Sequence, residues 1–254
     1  MVRIGLVAAM PMESKALLQE IRKWRRVKIG NYHGAQFRLL DRDCFLITSG
    51  VGRRRAMDAT SSLLNSIIPQ LLISFGIAGA IGKNLSIGDV VISTQTCLVE
   101  NDSVGEIKPL AGLSRQGWIA AEEILRQTSA SLSPGTAITT RATPLDLDVM
   151  KQLTNPILEM ETYGISQVAE GSAIPLLSLR SISDGPLQPL PFNLEDVYND
   201  KDDLRLSKLF SMILKQPQIL SKVGYVIRNS RIAANHAARA VLAILNEPSM
   251  KISA

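Results

Sequence analysis

The chain alternates between two hydrophobic rhythms. Val2 to Ala9 is a short apolar run with β-branched members, closed by Met10-Pro11, and it reads as a central strand. Helical spacing follows from Glu13 to Trp24 through Ala16, Leu17, Leu18 and Ile21. Gln36 to Leu40 and Cys44 to Ser49 read as strands, with Asp41-Arg42-Asp43 as the turn between them. Ser49-Gly50-Val51-Gly52 opens a helix from Arg53 to Ile68, and Leu71 to Phe75 is again a strand, running into Gly76-Ile77-Ala78-Gly79-Ala80. Ser86-Ile87-Gly88-Asp89 is a turn before a strand from Val90 to Ser93. Helical segments are expected at Gly117 to Gln127 and Leu145 to Leu153, with an extended segment from Thr136 to Thr140 between them. Ile157 to Met160 is a strand leading into a helix from Thr162 to Glu170, and Ile174 to Ile182 is a long apolar strand broken only by Arg180. Residues 185–203 carry three prolines and read as a loop; the chain is helical from Leu204, interrupted at Pro217, to about Leu245.

Strands that alternate with helices predict an α/β fold: one three-layer domain with a central mixed sheet flanked by helices. Residues 1–184 form the expected core. Residues 185–254 supply a Pro-rich loop and basic amphipathic helices packed on the same domain. A chain of 254 residues, 46% apolar, has material for such a core. No leader-like start and no membrane-length apolar run is visible, and Cys44 and Cys97 stand outside any metal spacing. A cytoplasmic protein without metal or cofactor is expected. The net charge is +5, and its distribution says more: residues 201–254 hold nine Lys/Arg against three acids, the first 200 hold 19 against 20. With few aromatics and the basic excess in one tail, nucleic acid is not an expected partner.

In open α/β sheets ligands gather at the carboxyl ends of strands, so polar residues there are the candidates. Glu13 follows the first strand, where a first-turn glutamate also suits a helix dipole. Glu159-Met160-Glu161 ends another strand; alternation puts both carboxylates on one face, where they either meet water or hold a polar group such as a ribose diol. Arg180 lies in an apolar run, and a buried arginine needs an anionic partner. Ser183-Asp184-Gly185 closes the same strand and offers a carboxyl beside a hydroxyl. Gly50-Val51-Gly52 lacks the third glycine of a dinucleotide fingerprint. His33 and His236 have no nucleophile or metal constellation around them.

Together these pieces resemble the nucleoside phosphorylase/nucleosidase superfamily, in particular methylthioadenosine/S-adenosylhomocysteine nucleosidases. The resemblance is carried by Ile4 to Glu13, Ser49 to Gly52, Phe75 to Ala80 with Gly88 to Val91, Glu159 to Glu161, and Arg180 to Asp184. It implies cleavage of a purine–ribose bond through an oxocarbenium-like transition state. Asp184, oriented by Ser183, would protonate the departing base at N7, which requires a carboxyl kept protonated by partial desolvation. Glu161 would accept from the ribose hydroxyls with Met160 against the sugar. Glu13 and Arg180 would hold the attacking water, and Ile77, Ala78 and Gly79 would line the substrate. Phosphorylases of the superfamily hold phosphate with an arginine and a serine where this chain has Ser74 and Ile77; isoleucine offers phosphate no hydrogen bond, so hydrolysis is favoured. The aromatic on which those nucleosidases stack the base has no counterpart in Ala137 to Arg141.

After Asp184 the chain departs from those nucleosidases. The Pro-rich stretch to Leu190-Pro191, then Leu214 to Ile219 and a basic helix, resemble the adenosylhopane nucleosidase branch, the hopanoid-associated phosphorylases. This implies an adenosine with a hopane-linked 5′ substituent. Lys222, Arg228, Arg231, Asn235 and Arg239 recur on one helical face, which either meets a membrane surface or borders a helix covering the sheet. The alternatives are a soluble methylthioadenosine/S-adenosylhomocysteine nucleosidase, a phosphate-dependent phosphorylase, and a non-catalytic nucleoside-binding module. A homodimer is expected from relatives whose pockets are completed across an interface.

Overall fold

The computed structural model describes residues 1–100, 103–140, 150, 152–189, 219–248 and 252–253. Most of the helix expected over Leu145–Leu153, the loop beyond residue 189 and the helix expected from Leu204 lie outside the described residues, as do the side chains of 219–223, Lys222 among them.

The described strands are β1 (Val2–Ala8), β2 (Trp24–Ile29), β3 (Tyr32–Leu39), β4 (Arg42–Thr48), β5 (Leu71–Ala80), β6 (Val90–Glu100), β7 (Ser103–Val104), β8 (Lys108–Pro109), β9 (Gly112–Leu113), β10 (Leu132–Thr139), β11 (Pro156–Glu159), β12 (Leu176–Asp184) and β13 (Ile252–Ser253). The helices are α1 (Pro11–Gln19), α2 (Arg53–Ile67), α3 (Arg115–Arg126), α4 (Thr162–Gly171) and α5 (Ile219–Asn246). The main sheet runs β11-β10-β6-β12-β5-β1-β4-β3-β2. It is mixed, as expected: β1 pairs β4 and β5 in parallel, whereas β12 is parallel to β5 and antiparallel to β6.

One half of this sheet closes on itself. The end of β5 also pairs antiparallel with β11, through Gly79–Leu158 and Ala80–Ile157, so β5, β12, β6, β10 and β11 form a ring. β5 therefore continues to Ala80 instead of stopping at Phe75, because strands on both sides satisfy the glycine-rich run. β6 likewise runs on from Ser93 to Glu100 against β10. The helical spacing expected to reach Trp24 stops at Gln19, and Trp24–Ile29 is an edge strand.

Alternation assigns the two faces. Ile4 and Leu6 of β1, Ile73 and Phe75 of β5, and Leu177 and Leu179 of β12 pack toward α1, α3 and α5. Val7, Leu72 and Leu176 pack toward α2 and α4. At Gly5 a Cβ would stand 2.7 Å from Leu63, so glycine lets α2 sit close on the sheet. The described part of α5 buries Ala233, Ala234, Ala237, Ala238 and Val241 against the sheet and leaves Arg228, Arg231 and Asn235 exposed. Buried Arg42 closes the end of α5, donating to the carbonyls of Leu245 and Glu247, and so supplies a cation to a helix C-terminus.

Candidate active site

Glu13 sits where β1 runs out. The β1–β5 pairing ends at Val7–Ser74, while β5 continues, leaving amides on its edge without a strand partner. Pro11 begins α1, where its missing N–H costs nothing, and places Glu13 in the third helical position. The carboxylate accepts from Ile77 N (3.0 Å) and reaches back to Met10 N (2.8 Å), so it caps both the helix and the strand edge. Gly76 makes this possible, because a Cβ there would lie 2.4 Å from Glu13 Oε1. Burial raises the Glu13 pKa, opposed by these amides and by the charge of Arg180.

Glu159 and Glu161 divide their work. β11 ends at Glu159, so strand alternation does not extend across Met160 to Glu161. Glu159 Oε2 accepts from Arg180 Nη2 (3.1 Å), Thr162 N (2.7 Å), Thr162 Oγ1 (2.8 Å) and Glu161 N (3.0 Å), while Thr139 Oγ1 donates to Oε1. The same Arg180 nitrogen donates to Ser74 Oγ (2.9 Å) and Thr162 Oγ1 (3.0 Å). Both partners of the ion pair are buried. Glu161 turns instead to the start of α2 and accepts from Gly52 N (2.8 Å). The left-handed φ of Gly50 (84°) and the φ of 106° at Gly52 shape that turn. Burial first, and the neighbouring Glu159 charge second, push the Glu161 pKa up. Met160 is buried between the two glutamates in sequence.

The expectation that both glutamates meet water or a ligand is thus corrected: Glu159 is committed to protein groups. Arg180, expected to hold a water with Glu13, acts on Glu13 through charge while its hydrogen bonds go elsewhere. Glu159, Ser74, Thr139 and Thr162 were not singled out as Arg180's setting. The signal was present: a buried cation needing an anion, and two clustered carboxylates needing compensation, answer each other.

Asp184 stands apart, and among the described residues no hydrogen bond joins it to that network. Between Ile182 and Asp184 the β12–β5 register shifts, so Ser183 is an extra residue and Asp184 faces Gly79. A Cβ on Gly79 would lie 2.8 Å from Asp184 Oδ2. Ser183 Oγ lies 2.6 Å from Asp184 Oδ1 and 3.3 Å from Ala78 O; its single hydrogen has two acceptors. Burial raises the Asp184 pKa, and the Ser183 bond opposes it. Beneath, Asp89 fastens the strand end, accepting from Ser86 N and Ser131 N (both 2.7 Å) while its carbonyl accepts from Ile182 N (2.9 Å).

Glu13 and Asp184 therefore bracket one run of β5, Gly76-Ile77-Ala78-Gly79. At ~3.3 Å per residue its ends are about 10 Å apart. Gly76 and Gly79 are the points at which the two carboxylates come close to the strand. Ala78 is buried and Ile77 partly exposed between them. Ile77 N is already taken by Glu13 and Ser74 Oγ by Arg180. Of the arginines opening α2, Arg53 pairs with Glu100 (3.0 Å) and Arg54 is exposed. No group of His, Cys, Asp and Glu with metal-binding geometry occurs among the described residues.

A mixed α/β sheet that gathers buried carboxylates at its strand ends defines a class of ligand-handling domain. Within it, the chain belongs to the phosphorylase superfamily, whose family model matches residues 3–207. It is similar to the 5′-methylthioadenosine/S-adenosylhomocysteine nucleosidase of Maridesulfovibrio salexigens, at 28% identity over 200 residues, covering 72% of this chain and 85% of the relative. The solved nucleosidase of Colwellia psychrerythraea in complex with adenine superimposes with a TM-score of 0.70 at 20% identity, over 97% of this chain and 95% of that one. Native futalosine hydrolase of Helicobacter pylori gives 0.69 at 16% identity, over 97% and 98%. At these identities the two structures speak for the fold.

Proposed function

We propose that the protein is a purine nucleosidase that hydrolyses the base–ribose bond of a 5′-substituted adenosine. The observation that carries this reading is the pair of carboxyls bracketing the Gly76–Gly79 run, each with its ordinary pKa raised by burial. A nucleoside lying along the run presents its anomeric carbon to Glu13 and its base to Asp184. Asp184, whose pKa burial raises, gives its proton to the purine N7 as the glycosidic bond lengthens; the Ser183 hydrogen can swing to Ala78 O while Asp184 is neutral. Glu13 orients a water below the sugar and takes its proton as the water attacks. Glu161 accepts from the ribose hydroxyls, with Met160 against the sugar. Arg180 is a positioning residue that holds Glu159 and biases the charge of Glu13.

Water is the nucleophile in this reading. Phosphate would enter a site with three buried carboxyl groups, where the buried arginine is already paired and the Ile77 amide is occupied. Adenine as the base rests on the nucleosidase relatives. For the 5′ group we favour a long apolar, hopane-linked chain, supported by the resemblance of the segment after Asp184. Leu187 also supports it: 69% exposed, it lies on the turn that follows Asp184. In this reading residues 1–184 carry the chemistry, in a cytoplasmic homodimer with peripheral membrane contact. A soluble methylthioadenosine/S-adenosylhomocysteine substrate is the competing outcome.

Asp184→Asn tests the reading. Loss of the general acid lowers base release about 10²–10⁴-fold with nucleoside binding retained. Comparing methylthioadenosine with an adenosine bearing a long apolar 5′ substituent, with and without phosphate, fixes substrate and nucleophile. Near-normal turnover by Asp184→Asn excludes the mechanism.

A further inference from the structure

The opposite end of the sheet carries an unexplained surface. β1, β4 and β5 are parallel, and β2, two antiparallel steps from β4, runs the same way. Their starts therefore share one end, away from Glu13. Three turns or strand starts at that end each expose a large apolar side chain: Trp24 at the start of β2 (41%), Leu40 before β4 (60%) and Ile68 before β5 (66%). Leu40 and Ile68 also occupy left-handed backbone, with φ of 54° and 45°. Glycine or asparagine is at ease there, whereas a β-branched isoleucine is a steric outlier. Each position thus bears two penalties, exposure and strain, that a polar residue would avoid.

Positive charge lies at the β2 side of these tips. Residues 21–40 contain six Lys/Arg and no acid, and the exposed Glu20 and Asp41 flank the stretch. Arg22, Lys23, Arg26 and Arg38 are exposed, and so is Arg3 beside the start of β1. Cations on an edge strand discourage strand-to-strand aggregation. That accounts for Arg26 and Lys28 on β2, but not for apolar tips on the turns before β4 and β5. With neighbouring strands ~4.8 Å apart, β2 and β5 stand about 19 Å from each other. The three tips lie in a row along the strand starts, a ridge of exposed apolar side chains. A second copy of the chain would bring like charge against like charge.

We propose that this ridge docks on the surface of an anionic lipid bilayer, with Trp24, Leu40 and Ile68 entering the headgroup layer and Arg22, Lys23 and Arg26 pairing with lipid phosphates. The chemistry is that of interfacial proteins, a few apolar anchors within a basic field. The described part of α5 packs Ala233, Ala234, Ala237, Ala238 and Val241 on the sheet, and the proposed contact is placed on the β2 side of the molecule. The catalytic strand ends point away from the lipid plane, so binding and base release are separable.

Vesicle co-sedimentation of the full chain tests this. The protein is expected to bind phosphatidylglycerol/phosphatidylcholine vesicles, to ignore pure phosphatidylcholine, and to release in about 1 M salt, where screening is near complete. Arg22→Gln/Lys23→Gln/Arg26→Gln should weaken partitioning about 100-fold, roughly 5-fold per cation. Leu40→Asn/Ile68→Gly should weaken it about tenfold or more while the melting temperature holds or rises, because both changes relieve the backbone. In a Trp118→Phe background, Trp24 emission should shift to the blue on anionic vesicles. Three results overturn the proposal: no preference for anionic vesicles, partitioning that the turn variant leaves unchanged, or bound protein whose Trp24 emission stays put. Equal capture by heparin with the turn variant unaffected would also overturn it, marking a general polyanion surface.

Discussion

The two ends of the Gly76–Gly79 run are built on opposite principles. At the Glu13 end, carboxylates are buried and held by several donors: Glu13 by two backbone amides, and Glu159 by an arginine, two threonine hydroxyls and two amides. At the Asp184 end, a half-buried carboxyl on a bulged strand is held, among the described residues, by one serine hydroxyl with a choice of acceptors. A group that positions a water or a sugar gains from being fixed before the substrate arrives. A group that surrenders a proton must exist in two charge states, and a single switchable hydrogen bond accommodates both.

Breaking the rigid end should have the largest effect on the fold. Arg180→Met leaves the buried Glu159 carboxylate with amide and hydroxyl donors but without its cation, and removing one partner of a buried pair costs about 3–5 kcal/mol. Thermal unfolding would read this as a large drop in melting temperature. Adding Glu159→Leu removes the stranded charge and should recover most of the loss without restoring base release. If Arg180→Met melted like the parent protein, the Arg180–Glu159 pair would not be what holds this end rigid.

The next test sets the two ends against each other with one methyl group each. Gly76→Ala places a Cβ 2.4 Å from Glu13 Oε1, and Gly79→Ala places one 2.8 Å from Asp184 Oδ2. Glu13 is pinned to backbone on both sides and has nowhere to go. Asp184, on its single tether, can yield. Gly76→Ala should lower kcat/KM about 100-fold, the scale of a 1 Å misplacement, and Gly79→Ala distinctly less. Equal losses, or the reverse order, would contradict the difference in rigidity.

Much of the scaffold was legible from periodicity because apolar alternation and burial express one physical fact. β1, α2, α4 and the long apolar strand β12 fall close to their expected positions for that reason. The misses have a common cause, which is long-range pairing. Gly76 to Ala80 falls outside the strand that periodicity marks at Leu71 to Phe75, and becomes part of it because β11 and β12 pair with it from either side. Trp24 reads as the end of a helix and the cation-rich residues 25–29 carry no strand periodicity, yet Trp24–Ile29 is a strand because β3 pairs with it. At the site, strand-end logic located Glu13, Glu161, Arg180, Ser183 and Asp184 as candidates. It did not reveal that Arg180 is tied to Glu159, because that contact depends on where β11 ends and on how the ring closes.

The smallest predicted effect concerns pH and separates the two ends by charge. Glu13, Glu161 and Asp184 all have pKa values raised by burial. A raised carboxyl pKa means that the folded state holds its proton more tightly than the unfolded chain. The stability it contributes is complete below the ordinary values, 4.5 for glutamate and 3.8 for aspartate, and is lost as pH climbs through the folded value. The protein without nucleoside should therefore melt at lower temperature as pH rises above about 5, with each titrating proton adding up to ~1.4 kcal/mol per pH unit to the slope. Glu161→Gln, which keeps an acceptor for Gly52 N but carries no charge, should flatten the slope more than Asp184→Asn, since Glu161 also faces Glu159. Nucleoside should flatten the wild-type slope too if ribose hydroxyls donate to the Glu161 carboxylate and stabilise its charged form. Slopes that are the same in the wild type and in Glu161→Gln would mean that Glu161 is charged in the empty site, with a compensating cation besides Arg180.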